Sequence, residues 1–230
     1  MVLSQLPKIL TERSVSYVNA PPRRRLTGEE RRTGILDAAL AAFSKSGYHS
    51  ASIDDIAREA GVSKALIYEH FASKQELYAD LIARNTRELT QRLGAALVGV
   101  ELESSAARLA AGLDAFFAFV EERRDAWRML FRDAADPETA AVLDRMIEQV
   151  TAEVTVLLSQ DPGAPALDSR EDQRGLRLLA EMLVGGAQSM ANWWADNPEA
   201  PRATMVEVAM DFAWLGLERL SRGERWSSPG

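Results

Sequence analysis

The 230-residue chain has no cysteine and only two histidines, His49 and His70. The first absence excludes disulfides and thiolate-bound metal, and it fits a reducing cytoplasm, where the protein is expected to reside. The second leaves little for imidazole chemistry, and neither histidine has a partner set resembling a catalytic constellation. No catalytic residue, metal site or cofactor is therefore expected. Long apolar runs are also missing: no stretch approaches 18 apolar residues, so no membrane span or membrane partner is expected. The opening MVLSQLPKILTERSVSYVNAPP lacks the charged and then apolar regions of a targeting signal. Strand-period alternation and internal repeats are absent too. What is present, 47% hydrophobic and 27% charged residues, is ordinary for a globular protein with a sizeable core.

Charge of one sign dominates only locally. The net charge of −7 hides 14 Lys plus Arg against 11 Asp plus Glu in residues 1–92, and 13 against 23 in residues 93–230. A mildly basic N-terminal part beside an acidic C-terminal part is compatible with sequence-specific DNA binding. It argues against indiscriminate coating of DNA.

The most informative stretch is GVSKALIYEHF, Gly61 to Phe71. Upstream, Ser52 and Asp55 form a helix-start box, and Ile53, Ile56, Ala57 and Ala60 share one face. Gly61 then stops that helix where a left-handed backbone is needed, Val62 packs inward and Ser63 caps the next helix. On this second helix Ile67 and Phe71 face the core. Lys64, Ala65, Leu66, Tyr68 and Glu69 are left toward solvent or DNA, which is the arrangement of a helix-turn-helix. Lys64 suits a phosphate or base edge, small Ala65 allows close approach, and Leu66 offers an apolar contact to a thymine methyl. Tyr68 and His70 suit flanking phosphates. Ser73 and Glu76 open the following helix, with Lys74 in its first turn beside amides that favour an anion. The preceding helix, about Glu29 to Ser46, carries Leu36, Ala39, Leu40 and Phe43 and stops at Gly47. Tyr48 and His49 form a connection expected to pack. Arg23, Arg24 and Arg25, at the foot of this helix, are placed to lie in an adjacent minor groove.

Residues 31–77, including GILDAALAAFSKSGYHSASIDDIAREAGVSKALIYEHFASKQELY, resemble the DNA-binding domain of the TetR family of bacterial transcription regulators. The resemblance implies an all-α, two-domain homodimer, usually a repressor, whose larger C-terminal domain binds a small molecule. The family's DNA-contacting places fall on Ser52, Ser63, Lys64, Ala65, Leu66, Tyr68, His70 and Lys74. Two residues depart from the common pattern. Leu66 replaces a small or hydroxylated residue, and Glu69 replaces a basic or neutral one.

Beyond the reader, helices are predicted over Lys74 to Val98, Ser104 to Glu122, Arg124 to Arg132, Asp136 to Ser159, Arg170 to Asp196 and Arg202 to Arg222. Residues 160–169 form a loop rich in Pro, Gly and Asp. The expected organisation is an extension over 1–22, a helix-turn-helix domain over 23–78, an effector-binding and dimerisation domain over 79–222, and a flexible tail over 223–230. Gly185, Gly186 and Ala187 allow close helix approach, and Val206, Ala209, Met210, Ala213, Leu217 and Leu220 form an apolar stripe. In the family the last two helices of each subunit make the dimer. Abundant aromatic and Met side chains permit an apolar effector cavity, with Phe116, Phe117, Val120, Trp127, Phe131, Met146, Leu183, Ala187, Met190 and Trp194 as candidate walls. The segment AFFAFVEERRDAWRMLFRD resembles family members that sense acyl-CoA in fatty-acid metabolism.

The expected function is a ligand-responsive repressor that binds a palindromic double-stranded operator as a homodimer under a lipophilic effector. The alternatives are a DNA-binding protein without an effector and, less favoured, an enzyme. If the three arginines meet phosphates, deleting residues 1–25 lowers DNA affinity and flattens its dependence on salt, measured as the slope of log K against log salt. An unchanged slope counts against the arm.

Overall fold

The computed structural model describes residues 27–98, 104–132, 137–160 and 169–221, all of them helical or connecting helices. The tri-arginine arm, the extension over 1–22, Asp136, most of the 160–169 loop and the tail over 223–230 lie outside these residues.

Helix α1 (Gly28–Ser50) starts at Thr27, whose hydroxyl accepts from the Glu30 amide while Glu30 accepts from the Thr27 amide. Gly47, at φ 80° and ψ 164°, breaks this helix where the sequence places its stop, and one further turn carries Tyr48. Helix α2 (Ile53–Ala60) is capped by Ser52 and Asp55 acting reciprocally. It ends on Gly61 in the left-handed region, φ 65°. The Val62 amide bonds the Ala57 carbonyl and the Gly61 amide bonds that of Arg58, so two orphan carbonyls are satisfied and the chain reverses sharply. Helix α3 (Lys64–His70) follows, with the Leu66 amide donating to Ser63 Oγ at 3.1 Å. Helix α4 (Lys74–Val98) is opened by Ser73, which accepts from the Glu76 amide.

The remaining helices are α5 (Ser105–Glu122), α6 (Arg124–Arg132), α7 (Pro137–Ser159), α8 (Arg170–Asp196) and α9 (Arg202–Ser221). They match the predicted spans within a residue or two. Ser169 and Asp172 start α8 with a reciprocal cap that the sequence reading did not use.

Three apolar clusters hold the chain together. The first joins Ile35, Ala39 and Phe43 of α1 to Ile53, Ile56, Ile67 and Phe71 of the helix-turn-helix and to Leu77, Leu81 and Ile82 of α4. It continues into Met129 of α6 and Val142 of α7, so the N-terminal part is continuous with the C-terminal bundle. The second cluster packs Leu113, Phe117 and Val120 of α5 against Trp194 of α8 and against Met205 and Ala209 of α9. The third joins Leu89 and Leu93 of α4 to Phe119 and Val150.

One expectation changes here. The first part of the α9 stripe faces its own subunit: Ala209 is buried in the second cluster and Val206 and Met210 pack against it. A periodic stripe identifies a buried face without naming the partner that buries it. Among the described residues, the exposed large apolar side chains of α9 are Val208 and Phe212.

An ionic network pins α4 to the end of α5. Glu88 accepts from Arg92 Nη2 at 2.7 Å and from Arg123 Nη2 at 2.5 Å, and Arg92 also reaches Glu122. Burial pushes the Glu88 carboxyl up, but its bonds to Arg123 and Arg92 outweigh this and hold it below the ordinary glutamate value of 4.5. A depressed carboxylate contributes stability that is complete above that ordinary value and lost as pH falls through the depressed one. Glu88→Gln should cost roughly 1–2 kcal/mol near neutral pH, because it leaves Arg123 with a lost charged partner. The gap from wild type should close under acid, as read from denaturant melts across pH; a constant gap would refute the assignment.

Candidate nucleic-acid interface and effector cavity

The helix-turn-helix is rigid because its buried half is fixed at several points. Ile67 and Phe71 are inaccessible, and Arg32 of α1 lies 4.4 Å over the Phe71 ring. The same guanidinium donates to the His70 carbonyl at 3.0 Å and pairs with Asp80 of α4. One side chain thus ties α1, the end of α3 and α4 together. The sequence carried no sign of this clasp, because Arg32 and Asp80 are 48 residues apart.

The opposite side of α3 is open. Ser63, Lys64, Ala65, Tyr68 and Glu69 are exposed, and Leu66 and His70 are half-buried. Tyr68 keeps 48% of its surface accessible, high for an aromatic residue in a packed domain. Ser52 is exposed as well, but its hydroxyl accepts from the Asp55 amide and donates to the Asp55 carboxylate, so it works first as a cap. Those bonds from Ser52, with Arg58, hold the Asp55 carboxyl below its ordinary range.

Two lysines behave differently from their simplest expectation. Lys64 Nζ lies 3.0 Å from Asp54 Oδ2, and this bond raises the pKa of the ammonium. Both groups face solvent, so the pair is weak and exchangeable for a phosphate. Lys74, placed by its position at a phosphate, directs its ammonium to the carbonyls of Tyr48, His49 and Ala51 at 2.8–3.3 Å. It also sits 4.4 Å over the Tyr48 ring. Here a cation serves the exposed carbonyls that follow the Gly47 break. Tyr48 itself is buried against Phe43 and Tyr78, as packing rather than contact with DNA requires.

A cavity of about 40 Å³ lies between the middle helices. From α4 it is lined by Asn85, Thr86 and Leu89, and from α5 by Phe116 and Phe119. Trp127, Met146, Ile147, Val150, Val184 and Gln188 complete the wall. Of the ten candidate effector residues, Phe116, Trp127 and Met146 meet here. Phe117, Val120 and Trp194 instead form the second cluster, with Leu183 and Met190 packed against it. Trp194 is fully buried, with its ring nitrogen donating to the Ala200 carbonyl. Ala187 is half-buried and off the cavity wall, and the side chain of Phe131 lies outside the described residues. The polar wall residues Asn85, Thr86 and Gln188 escaped the sequence reading, which sought apolar walls.

Comparison with known proteins agrees with this geometry. Residues 35–81 match the family model for bacterial regulatory proteins of the tetR family, and residues 106–216 match that for the tetracyclin repressor-like C-terminal domain. The transcriptional activator FasR of Mycolicibacterium smegmatis is 34% identical over 199 residues, covering 85% of this chain and 87% of that protein. The chain belongs to the TetR family.

Among solved TetR-like structures, a regulator from Rhodococcus sp. RHA1 superposes with TM-score 0.65 at 27% identity, covering 84% of this chain and 99% of that one. FadR from Bacillus subtilis, solved in complex with stearoyl-CoA, gives TM-score 0.62 at 16% identity, over 79% of this chain and 96% of that one. At that identity the likeness is one of fold. As a TetR-type transcriptional regulator, the chain is one of a family of regulators rather than enzymes. Among the described residues, no helix is long and apolar enough to cross a membrane.

Lys64→Ala and Tyr68→Ala should each weaken operator binding about tenfold or more while leaving the melting temperature near wild type. Lys64→Ala should also reduce the salt slope by about one. Asp54→Ala should act oppositely, tightening binding severalfold by freeing Lys64. Anisotropy titrations of labelled duplex at several salt concentrations test both; weaker binding by Asp54→Ala would refute the competition.

Proposed function

We propose that the protein is a homodimeric regulator of a palindromic operator whose DNA affinity is set by a lipophilic effector carried as an acyl-CoA. The observation that carries this reading is the continuity of α4. Its N-terminal half, Leu77 to Ile82, is core of the DNA reader, and Asn85 to Leu89 line the cavity. At about 40 Å³ the cavity holds little more than a water, whereas drug-sized ligands occupy roughly 300 Å³ and upward. A long chain seated at this place would part α4, α5, α7 and α8, and parting them would move the helix that supports α3. The stearoyl-CoA of the FadR complex is an effector of suitable chemistry for so apolar a wall.

The homodimer is supported by apolar residues that one chain leaves uncovered. Leu178, Met182 and Trp193 on α8 are 64%, 66% and 54% accessible, and Phe212 on α9 is 79% accessible. Leu178, Met182, exposed Gly185 and Trp193 follow a helical spacing on one face, and the glycine allows close approach. A two-fold axis through this face presents two α3 helices to half-sites one DNA turn or a multiple apart. A cytoplasmic site of action follows from this role.

Repression, the mode expected from the family, requires an operator that overlaps the polymerase site. Activation, the mode in the name of the M. smegmatis relative, requires one beside it. The protein's part is the same in both: an affinity that changes with ligand.

Anisotropy against DNA flanking its own coding region should give at least 10³-fold tighter binding than random duplex. Stearoyl-CoA should shift that affinity at least fivefold. Equal affinities for the two DNAs would sink the regulator reading; specific binding indifferent to acyl-CoA would leave a regulator without this effector. Phe212→Glu should yield monomers by light scattering and lose operator binding, and an intact dimer would remove the assigned interface.

A further inference from the structure

Asn85 stands on the cavity wall and is 4% exposed. Its Nδ2 donates to the Leu81 carbonyl one turn back at 2.9 Å, which fixes the orientation of the amide. The carbonyl oxygen, Oδ1, is then buried with no hydrogen-bond partner. Its neighbour Thr86 spends its hydroxyl proton on the Ile82 carbonyl at 2.9 Å, so it has no donor to offer. Around them the wall is apolar, with Leu89, Phe116, Phe119 and Val150, except for Gln188, whose amide makes no hydrogen bond to Asn85 Oδ1. A leucine at position 85 would fill this space without burying an unsatisfied acceptor, so packing alone gives no reason for an amide here.

We infer that the buried part of the effector carries a hydrogen-bond donor, a hydroxyl or an amide N–H, that Asn85 Oδ1 accepts. The inference rests on the cavity being the effector site. It deepens that reading by constraining which molecule enters and how. A plain acyl chain and its thioester carbonyl offer no donor and would leave Asn85 unsatisfied. In an acyl-CoA the nearest donors are an amide N–H of the pantetheine arm or a hydroxyl on the chain itself. Either one sets the depth of the ligand by placing that donor against α4. Binding then supplies a donor to a polar atom that no protein group pairs in the closed bundle, so ligands with the donor favour the opened arrangement over those without it.

The test uses two probes that differ in donation and by one methyl group: 1-dodecanol and its methyl ether, 1-methoxydodecane. Both accept hydrogen bonds; only the alcohol donates. The ether has an extra methyl group, so apolar transfer alone favours the ether. Dissociation constants are read on the full chain from tryptophan fluorescence, with Trp127 on the wall as reporter, for wild type, Asn85→Leu and Asn85→Ala. Wild type should prefer the alcohol about tenfold, and both variants should lose or reverse the preference while still binding the ether. Asn85→Leu should also melt at or above the wild-type temperature. If Asn85→Leu does not fold, Asn85→Ala decides. Equal affinities in wild type, as when water alone satisfies Asn85, or an alcohol preference retained in the variants, would overturn the inference and leave the cavity reading intact. Failure of both probes to bind wild type would overturn the cavity reading and this inference with it.

Discussion

Everything in this molecule depends on burial of one apolar seam by α4 from both sides. Leu77, Leu81 and Ile82 close the core of the DNA reader, and Leu89 and Leu93 begin the core of the bundle about two turns later. Met129 and Val142 extend the first core into α6 and α7. With no flexible linker between reader and bundle, the orientation of α3 is a property of the whole packing. Close-packed cores switch between discrete arrangements and do not deform gradually. A displacement of α4 is therefore passed to α3 as a rigid movement.

Polar groups decide how firmly that arrangement is held. Arg32 bridges α1, α3 and α4 at the reader, and the Glu88 network bridges α4 and α5 beside the cavity. Arg92 and Arg123 both lie over the Phe119 ring, at 5.6 and 5.7 Å, so the network leans on a residue of the cavity wall. Lys74 belongs with these clamps. Its ammonium donates to the Tyr48, His49 and Ala51 carbonyls that follow Gly47, while Lys64 of α3 stays exposed and paired with Asp54. The two lysines differ only ten positions in sequence, yet one is committed to structure and the other to exchange.

Local physics made most of the fold legible. Ser52, Gly61 and Ser63 announce their caps and turn through short-range backbone needs, and Pro137 and the 3.6-residue periods mark the later helices. What stayed hidden is what depends on distant pairing. Arg32 with Asp80, and Lys64 with Asp54, are created by the turn and cannot be read along the chain. The candidate effector residues divide between two places for a related reason. Phe116 and Phe117 are adjacent and equally apolar, but successive residues on a helix point about 100° apart, so one lines the cavity and the other packs against Trp194. Helix α9 shows the same ambiguity: Ala209 and Phe212 are three residues apart, one buried within the subunit and the other exposed.

On the proposed reading, the small cavity also limits how a ligand switch can work. A site already large enough for its ligand would bind without moving anything, and equal affinity for two arrangements shifts neither. On that reading the cavity is too small for a chain as the helices stand, so ligand affinity would reside in an opened arrangement. The Glu88 clamp and the packing around Phe119 set what opening costs. The cost must be overcome by ligand contacts, and it is also what makes the response to ligand large. A bundle loosened at this junction would bind effector more tightly and report it less, because more of the population would already be open. Responsiveness and effector affinity would then be opposed through the same few residues, with the half-buried ion pairs around Glu88 setting the balance between them.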